Sequence, residues 1–94
     1  MAPKIEFVKP ISSSKLFVIF SNGEKKTYDC EPLLSRPQFQ LLKIPAFFKA
    51  VKVDPGGYGI SWNDKMDLSE YELWTNGKPI INNTMPSDAP ASKR

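Results

Sequence analysis

The chain predicts an α+β fold: a small antiparallel sheet of two hairpins plus an N-terminal strand, covered by short helices. Three observations carry this. Residues 16–20, Leu-Phe-Val-Ile-Phe, run through Ser21-Asn22-Gly23 into Glu24-Lys25-Lys26-Thr27-Tyr28-Asp29. Val51-Lys52-Val53 runs through Asp54-Pro55-Gly56-Gly57 into Tyr58-Gly59-Ile60-Ser61-Trp62. Ser69 stands three residues before Glu72, the spacing of a helix capping box.

Residues 5–8 form the first strand, with Pro10 ending it or marking a sheet edge. Ser12-Ser13-Ser14 is a polar turn, and residues 16–20 are apolar on both alternating faces, as in a central strand covered on at least one side. The turn after Phe20 admits two registers. A two-residue Asn22-Gly23 loop pairs Phe17 with Tyr28. A three-residue loop with Gly23 left-handed pairs Leu16 with Tyr28 and Val18 with Lys26. The second gathers Leu16, Val18, Phe20 and Tyr28 on one face and is preferred.

Pro32, Pro37 and Pro45 forbid one long helix between residues 30 and 48. Residues 38–43 can form one or two helical turns, with Phe39 and Leu42 on a common face. Leu33, Leu34, Phe39, Leu42 and Phe47 are expected to pack on the sheet, each contributing about 1.5–3 kcal/mol if fully buried. In the second hairpin, proline presets φ and the next glycine supplies the positive φ of a type II turn. The expected pairing is Val53 with Tyr58 and Val51 with Ile60, which places Tyr58, Ile60 and Trp62 on one face. Residues 63–66 read as a turn. A helix of about two turns starts at Ser69, carries Leu73 and Trp74 on its apolar side, and stops at Asn76-Gly77. Residues 1–81 then form one domain, and residues 82–94, rich in Pro, Ser, Ala and Asn, a flexible tail.

Ninety-four residues fill one hydrophobic core and not two. A domain this size is expected to hold about 10 kcal/mol or less of net stability. The apolar content of 40% and aromatic content of 12% suffice for that core and exceed what a disordered chain carries. No run approaches a membrane span, and Met1-Ala2-Pro3-Lys4 lacks the apolar stretch of a signal peptide. With the single cysteine, Cys30, this sets cytoplasmic residence as the expectation. Residues 1–52 hold nine Lys/Arg against four Asp/Glu, and residues 53–94 four against six, so the net +3 divides as +5 and −2. Lysines scattered along strands more often mark a solvent face or a protected edge than a nucleic-acid surface.

The chain has no histidine, which removes the usual general base and every Ser-His or Cys-His pair. One cysteine cannot build a structural zinc site, and Gly56-Gly57-Tyr58-Gly59 lies in a hairpin and does not open a helix. Asp64, Asp67 and Glu70 lie close in sequence, but turn and helix-start roles account for Asp54, Asp64, Asp67, Glu70 and Glu72. No catalytic residue, metal site or cofactor is expected, and Cys30 reads as a small buried residue.

The spacing Leu16-x-Val18-x-Phe20-x-Asn22-Gly23, then Tyr28-Asp29, Phe39, Phe48, Val51-x-Val53-Asp54, Ile60-x-Trp62 and Asp67-Leu68-Ser69 with Leu73 resembles the prokaryotic family known as domain of unknown function 2442. The resemblance covers about residues 5–77. It implies a small α+β domain with an accessory role and names no reaction. Some members are joined to helix-turn-helix DNA-binding domains, and some stand in gene pairs suggestive of toxin–antitoxin or regulatory modules. Residues 77–94 are too short and proline-rich for a helix-turn-helix, so direct operator reading is not expected.

The functional expectation is a non-catalytic protein-interaction module of a regulatory or antitoxin-like system, with a protein partner or a homodimer. A sheet edge, Trp74, Tyr71 and the C-terminal tail are its candidate surface. The alternative is an accessory nucleic-acid-binding protein using a basic sheet face of Lys15, Lys25, Lys26, Lys49 and Lys52. In that alternative Phe17, Phe20, Tyr28, Tyr58 and Trp62 would have to serve as stacking platforms, whereas a sheet this small needs those aromatics for its core.

Overall fold

The computed structural model describes residues 2–80. Among these described residues, seven strands form two antiparallel sheets. The first has the order β1-β2-β3-β7, from β1 (Ile5–Pro10), β2 (Lys15–Phe20), β3 (Lys25–Asp29) and β7 (Lys78–Pro79). The second has the order β4-β5-β6, from β4 (Lys52–Val53), β5 (Gly59–Asn63) and β6 (Met66–Ser69). The α+β class is as expected, but the two hairpins belong to different sheets. The ladder does not continue from β1 into β4, although the two lie side by side. β1 breaks register between Ile5 and Phe7 and ends at Pro10, which has no N–H to donate.

The first hairpin takes the three-residue loop. Leu16 faces Tyr28 and Val18 faces Lys26. Gly23 has φ 88°, and its N–H donates to the Phe20 carbonyl at 2.9 Å. Leu16, Val18, Phe20 and Tyr28 all turn inward and are buried. Phe17 points to the opposite face, where it is buried outside the core cluster and meets Phe7 edge-on at 6.2 Å.

The second hairpin differs from expectation. Val53 faces Ile60 and Lys52 faces Ser61, two residues out from the expected register. Pro55-Gly56 does form the type II turn, with Gly56 at φ 79° and the Gly57 N–H donating to the Asp54 carbonyl at 2.9 Å. Gly57 is also left-handed, at φ 77°, and this second reversal draws Tyr58 into the loop. Tyr58 is therefore 60% exposed, whereas Ile60 and Trp62 stay buried. A shift of two residues preserves which side chains face inward, so Ile60 and Trp62 join the core in either register.

Between the hairpins, the prolines start three short pieces: 3-10 helices Glu31–Ser35 and Pro37–Lys43, and α1 (Pro45–Phe48). Each has proline in its first turn, where the missing N–H has no helical partner to lose. Leu33, Phe39 and Leu42 are buried as expected, and Leu34 and Phe47 pack partly against the core. Phe48 is the deeper of the paired phenylalanines. It stacks on Trp62 at 6.1 Å, and its carbonyl accepts the indole N–H at 3.0 Å.

β6 was not expected. Only Asp64 and Lys65 turn, while Met66 and Leu68 alternate inward with Asp67 and Ser69 outward. Asp67 is accordingly a strand residue opposite Ser61, and not part of the helix start. α2 (Glu70–Asn76) begins where its cap predicts, with the Glu72 N–H donating to Ser69 Oγ at 3.0 Å. The reciprocal half of the capping box is replaced: the Glu72 carboxylate turns to Tyr28 and Asn76. Gly77 closes the helix in an extended conformation, and not a left-handed one. A Cβ there would lie 2.4 Å from the Leu73 carbonyl oxygen.

Cys30 is fully buried, as expected. Burial first, and the Asp29 carboxylate second, push its thiol up to about 12. The Tyr28 phenol is also raised, by burial first and then by its hydrogen bond to Glu72. In the folded state both groups hold their protons beyond the pH at which the unfolded chain releases them. The contribution of Cys30 to stability is intact below the ordinary thiol range and is lost as pH rises from there towards about 12, and that of Tyr28 is lost only above the ordinary phenol range. Cys30 should thus resist iodoacetamide in the native protein and react in urea. The urea midpoint should fall above about pH 9. Rapid native alkylation at pH 8 would refute the assignment.

Candidate functional site

β3 is longer than its outer neighbour, and that mismatch leaves a recess at its end. β7 faces only Lys26 and Thr27, through Pro79 and Lys78 respectively. The Ile80 N–H donates to the Lys25 carbonyl at 3.1 Å, whereas the Cys30 N–H donates inward to the Ser14 carbonyl at 2.7 Å. Antiparallel alternation then turns the backbone of residues 25, 27 and 29 outward. Thr27 faces Lys78, and the next outward rung, at Asp29, has no strand beside it.

The space left there is a notch of about 440 Å³ between β3, the first 3-10 helix and α2. Its apolar wall is Pro32 and Leu33. The back is a bonded group: the Tyr28 hydroxyl donates to Glu72 Oε2 at 2.7 Å, and Asn76 Nδ2 donates to the same oxygen at 2.9 Å. Asp29 Oδ1 accepts the Glu31 N–H at 2.9 Å. Lys15, Arg36 and Lys78 stand at the rim. Among the described residues the single ion pair is Lys4–Glu70, at 3.8 Å, so none of these three cations has a carboxylate partner.

The notch was not singled out from sequence, apart from Lys15. A two-residue strand containing proline has no periodicity to detect, and without β7 the edge of β3 cannot be placed.

The five lysines expected to share a basic face do not. Lys15 borders the notch, and Lys25 is half-buried at the other end of β3, opposite Ile19. Lys49 borders a separate recess with Pro10, Ile11, Lys43 and Phe48, and Lys52 lies beside Trp62 and Asp64 on the second sheet. Lys26 faces inward and is only 8% exposed. Its Nζ sits 3.8 Å above the Trp74 ring and donates to the Trp74 carbonyl.

Trp74 is likewise not an open anchor. It is half-buried, edge-on to Phe20 at 5.1 Å and beneath Lys26. Tyr71 is open, at 65% exposure, on the helix that walls the notch. Tyr58 is a second exposed tyrosine, because the observed register leaves it in the loop. Its ring lies over Gly56, where a Cβ would stand 2.7 Å from it, and Lys4 Nζ is 4.5 Å from the ring centroid.

The carboxylates lie apart from one another in role. Asp54 accepts from Ser61 Oγ at 2.6 Å, Asp64 is in a turn, and Glu70 pairs with Lys4. Among the described residues no three His, Cys, Asp or Glu side chains converge as metal ligands would. Nor is any helix among them long and apolar enough to cross a membrane.

Two antiparallel sheets with short covering helices and an incomplete strand edge thus define a small α+β domain. The chain belongs to the family described as "Protein of unknown function (DUF2442)", whose model it matches over residues 5–79. No curated protein and no solved structure matches it.

Proposed function

We propose that this protein is a non-catalytic interaction module, and that it holds a partner protein at the open edge of β3. The observation that carries this reading is the missing rung beside Asp29, where β3 outruns β7 and leaves a walled notch. An extended segment entering there would continue the ladder with main-chain hydrogen bonds and set a side chain against Pro32 and Leu33. The other edge of the first sheet is poorly suited to pairing, because β1 carries a register break and ends in Pro10. A regulatory or antitoxin-like role fits a module that binds through backbone geometry and brings no reactive group. Residence in the cytoplasm agrees with an intrachain complement of one buried thiol. The nucleic-acid reading is weaker, because the lysines that would carry it are dispersed and one is buried.

Asn76 is exposed and lines the notch, so Asn76→Trp should fill it without overpacking the core. Tagged wild-type protein, expressed from its native locus, should co-purify with one protein in near-equal amount. Asn76→Trp should lose that protein while keeping its circular dichroism and melting transition. Equal retention by wild type and variant would place the contact elsewhere and overturn the assignment. Isolation of wild type as a lone monomer would do the same.

A further inference from the structure

The chemistry of the notch also specifies what kind of segment it takes. Five charged side chains line it: Lys15, Arg36 and Lys78, with Asp29 and Glu72. The two acids are already engaged. Glu72 Oε2 accepts from both Tyr28 and Asn76, and Asp29 Oδ1 accepts the Glu31 N–H. The three cations have no hydrogen-bond or ion-pair partner among the side chains around them. The donors to Glu72 and Asp29 are neutral and both acids keep their charge, so the lining sums three positive charges against two negative ones, a net positive field at the open space.

The placement of the cations matches a strand and not a point charge. Lys15 lies opposite Asp29 in the β2–β3 ladder, and Lys78 lies opposite Thr27 in the β3–β7 ladder. Alternation puts both on the face of the sheet that residues 27 and 29 share. Arg36 follows the first 3-10 helix, which packs on the other face, and its charge reaches the Tyr28 phenol. An added strand presents successive side chains to opposite faces. It would therefore meet cations on both.

We infer that the notch binds an acidic extended segment of a partner protein, which adds as a strand beside Asp29 and sets its carboxylates against Lys15, Arg36 and Lys78. This rests on the interaction reading above and adds to it the charge of the partner. Charge complementarity of this kind governs which segment is accepted and how fast it is captured.

The test uses the full-length protein and a fluorescein-labelled decapeptide of alternating glutamate pairs and threonine pairs, which as a strand presents carboxylates to both faces, measured by fluorescence anisotropy against the same peptide with glutamine for glutamate. The glutamate peptide should bind, and its affinity should fall as salt is raised from about 50 to 500 mM, because rim charges are screened. The variant Lys15→Gln/Arg36→Gln/Lys78→Gln changes only exposed side chains and should fold as the wild type does. It should weaken binding roughly tenfold or more. Asn76→Trp should abolish binding of the same peptide.

If the glutamine peptide binds as well as the glutamate peptide, the acidic requirement is wrong while the strand-edge reading stands. If neither binds, both are wrong. Binding of labelled oligothymidylate or inorganic phosphate with the same sensitivity to the triple variant, and without binding of the glutamate peptide, would assign the site to another anion and overturn the inference.

Discussion

Phe20→Ala should remove about 3–5 kcal/mol of stability, the range for emptying a phenylalanine site in a packed core. Phe20 is fully buried at the end of β2 and is among the largest side chains with no exposed surface. Its ring also meets Trp74 edge-on, so alanine opens a cavity beneath α2 and removes an aromatic pair together. A 94-residue domain has about 10 kcal/mol or less to lose. The urea midpoint should therefore fall by a third or more, with near-ultraviolet signal from Trp74 lost at the same concentration as the sheet signal. A loss below about 1 kcal/mol would mean that α2 collapses into the space, and that Phe20 does not organise the layer.

Gly57→Ala is expected to rival it through the backbone. Gly57 has φ 77°, which costs an alanine about 1–2 kcal/mol by itself. The added Cβ would also stand 2.6 Å from the Ile5 carbonyl oxygen and 2.9 Å from Lys4 Cβ. The loop of the second hairpin is thus pressed against β1, and relief requires the two sheets to move apart. Gly23→Ala is the internal control. Its φ of 88° carries similar strain, but nothing lies within 4 Å of its would-be Cβ. Gly57→Ala should cost at least about 2 kcal/mol more than Gly23→Ala in urea denaturation. Equal costs would show that the contact between loop and β1 yields freely.

How much of this was legible depended on the length of the pattern. The first hairpin was readable to the residue, because only one register put Leu16, Val18, Phe20 and Tyr28 on one side. The second was readable in turn type but not in register: one left-handed glycine was assigned, and the chain uses two. β6 carried a visible signal in Met66 and Leu68 that the turn residues Asn63-Asp64-Lys65 obscured. β7 carried none, since two residues including a proline have no period. The candidate site followed from that gap. Lys15 could be named as a surface cation, but its association with Arg36 and Lys78 exists only once β7 is placed. Trp74 and Lys26 failed for a related reason. By type Lys26 reads as a surface cation and Trp74 as both an apolar helix position and a partner-binding anchor, whereas in the fold the two pack on each other.

The contact between Lys26 and Trp74 ties two elements that the notch separates. Lys26 projects from β3, and its ammonium meets the carbonyl of Trp74 in the last turn of α2, where the helix dipole favours a cation. Gly77 lets the chain pass so close that its Cβ position is 3.3 Å from Lys26 Cβ and Cδ. One side of the notch is consequently braced to the other by this lysine stem together with the Tyr28–Glu72 hydrogen bond. A segment of the proposed partner would meet an opening whose width these contacts already set, with little ordering left to oppose entry.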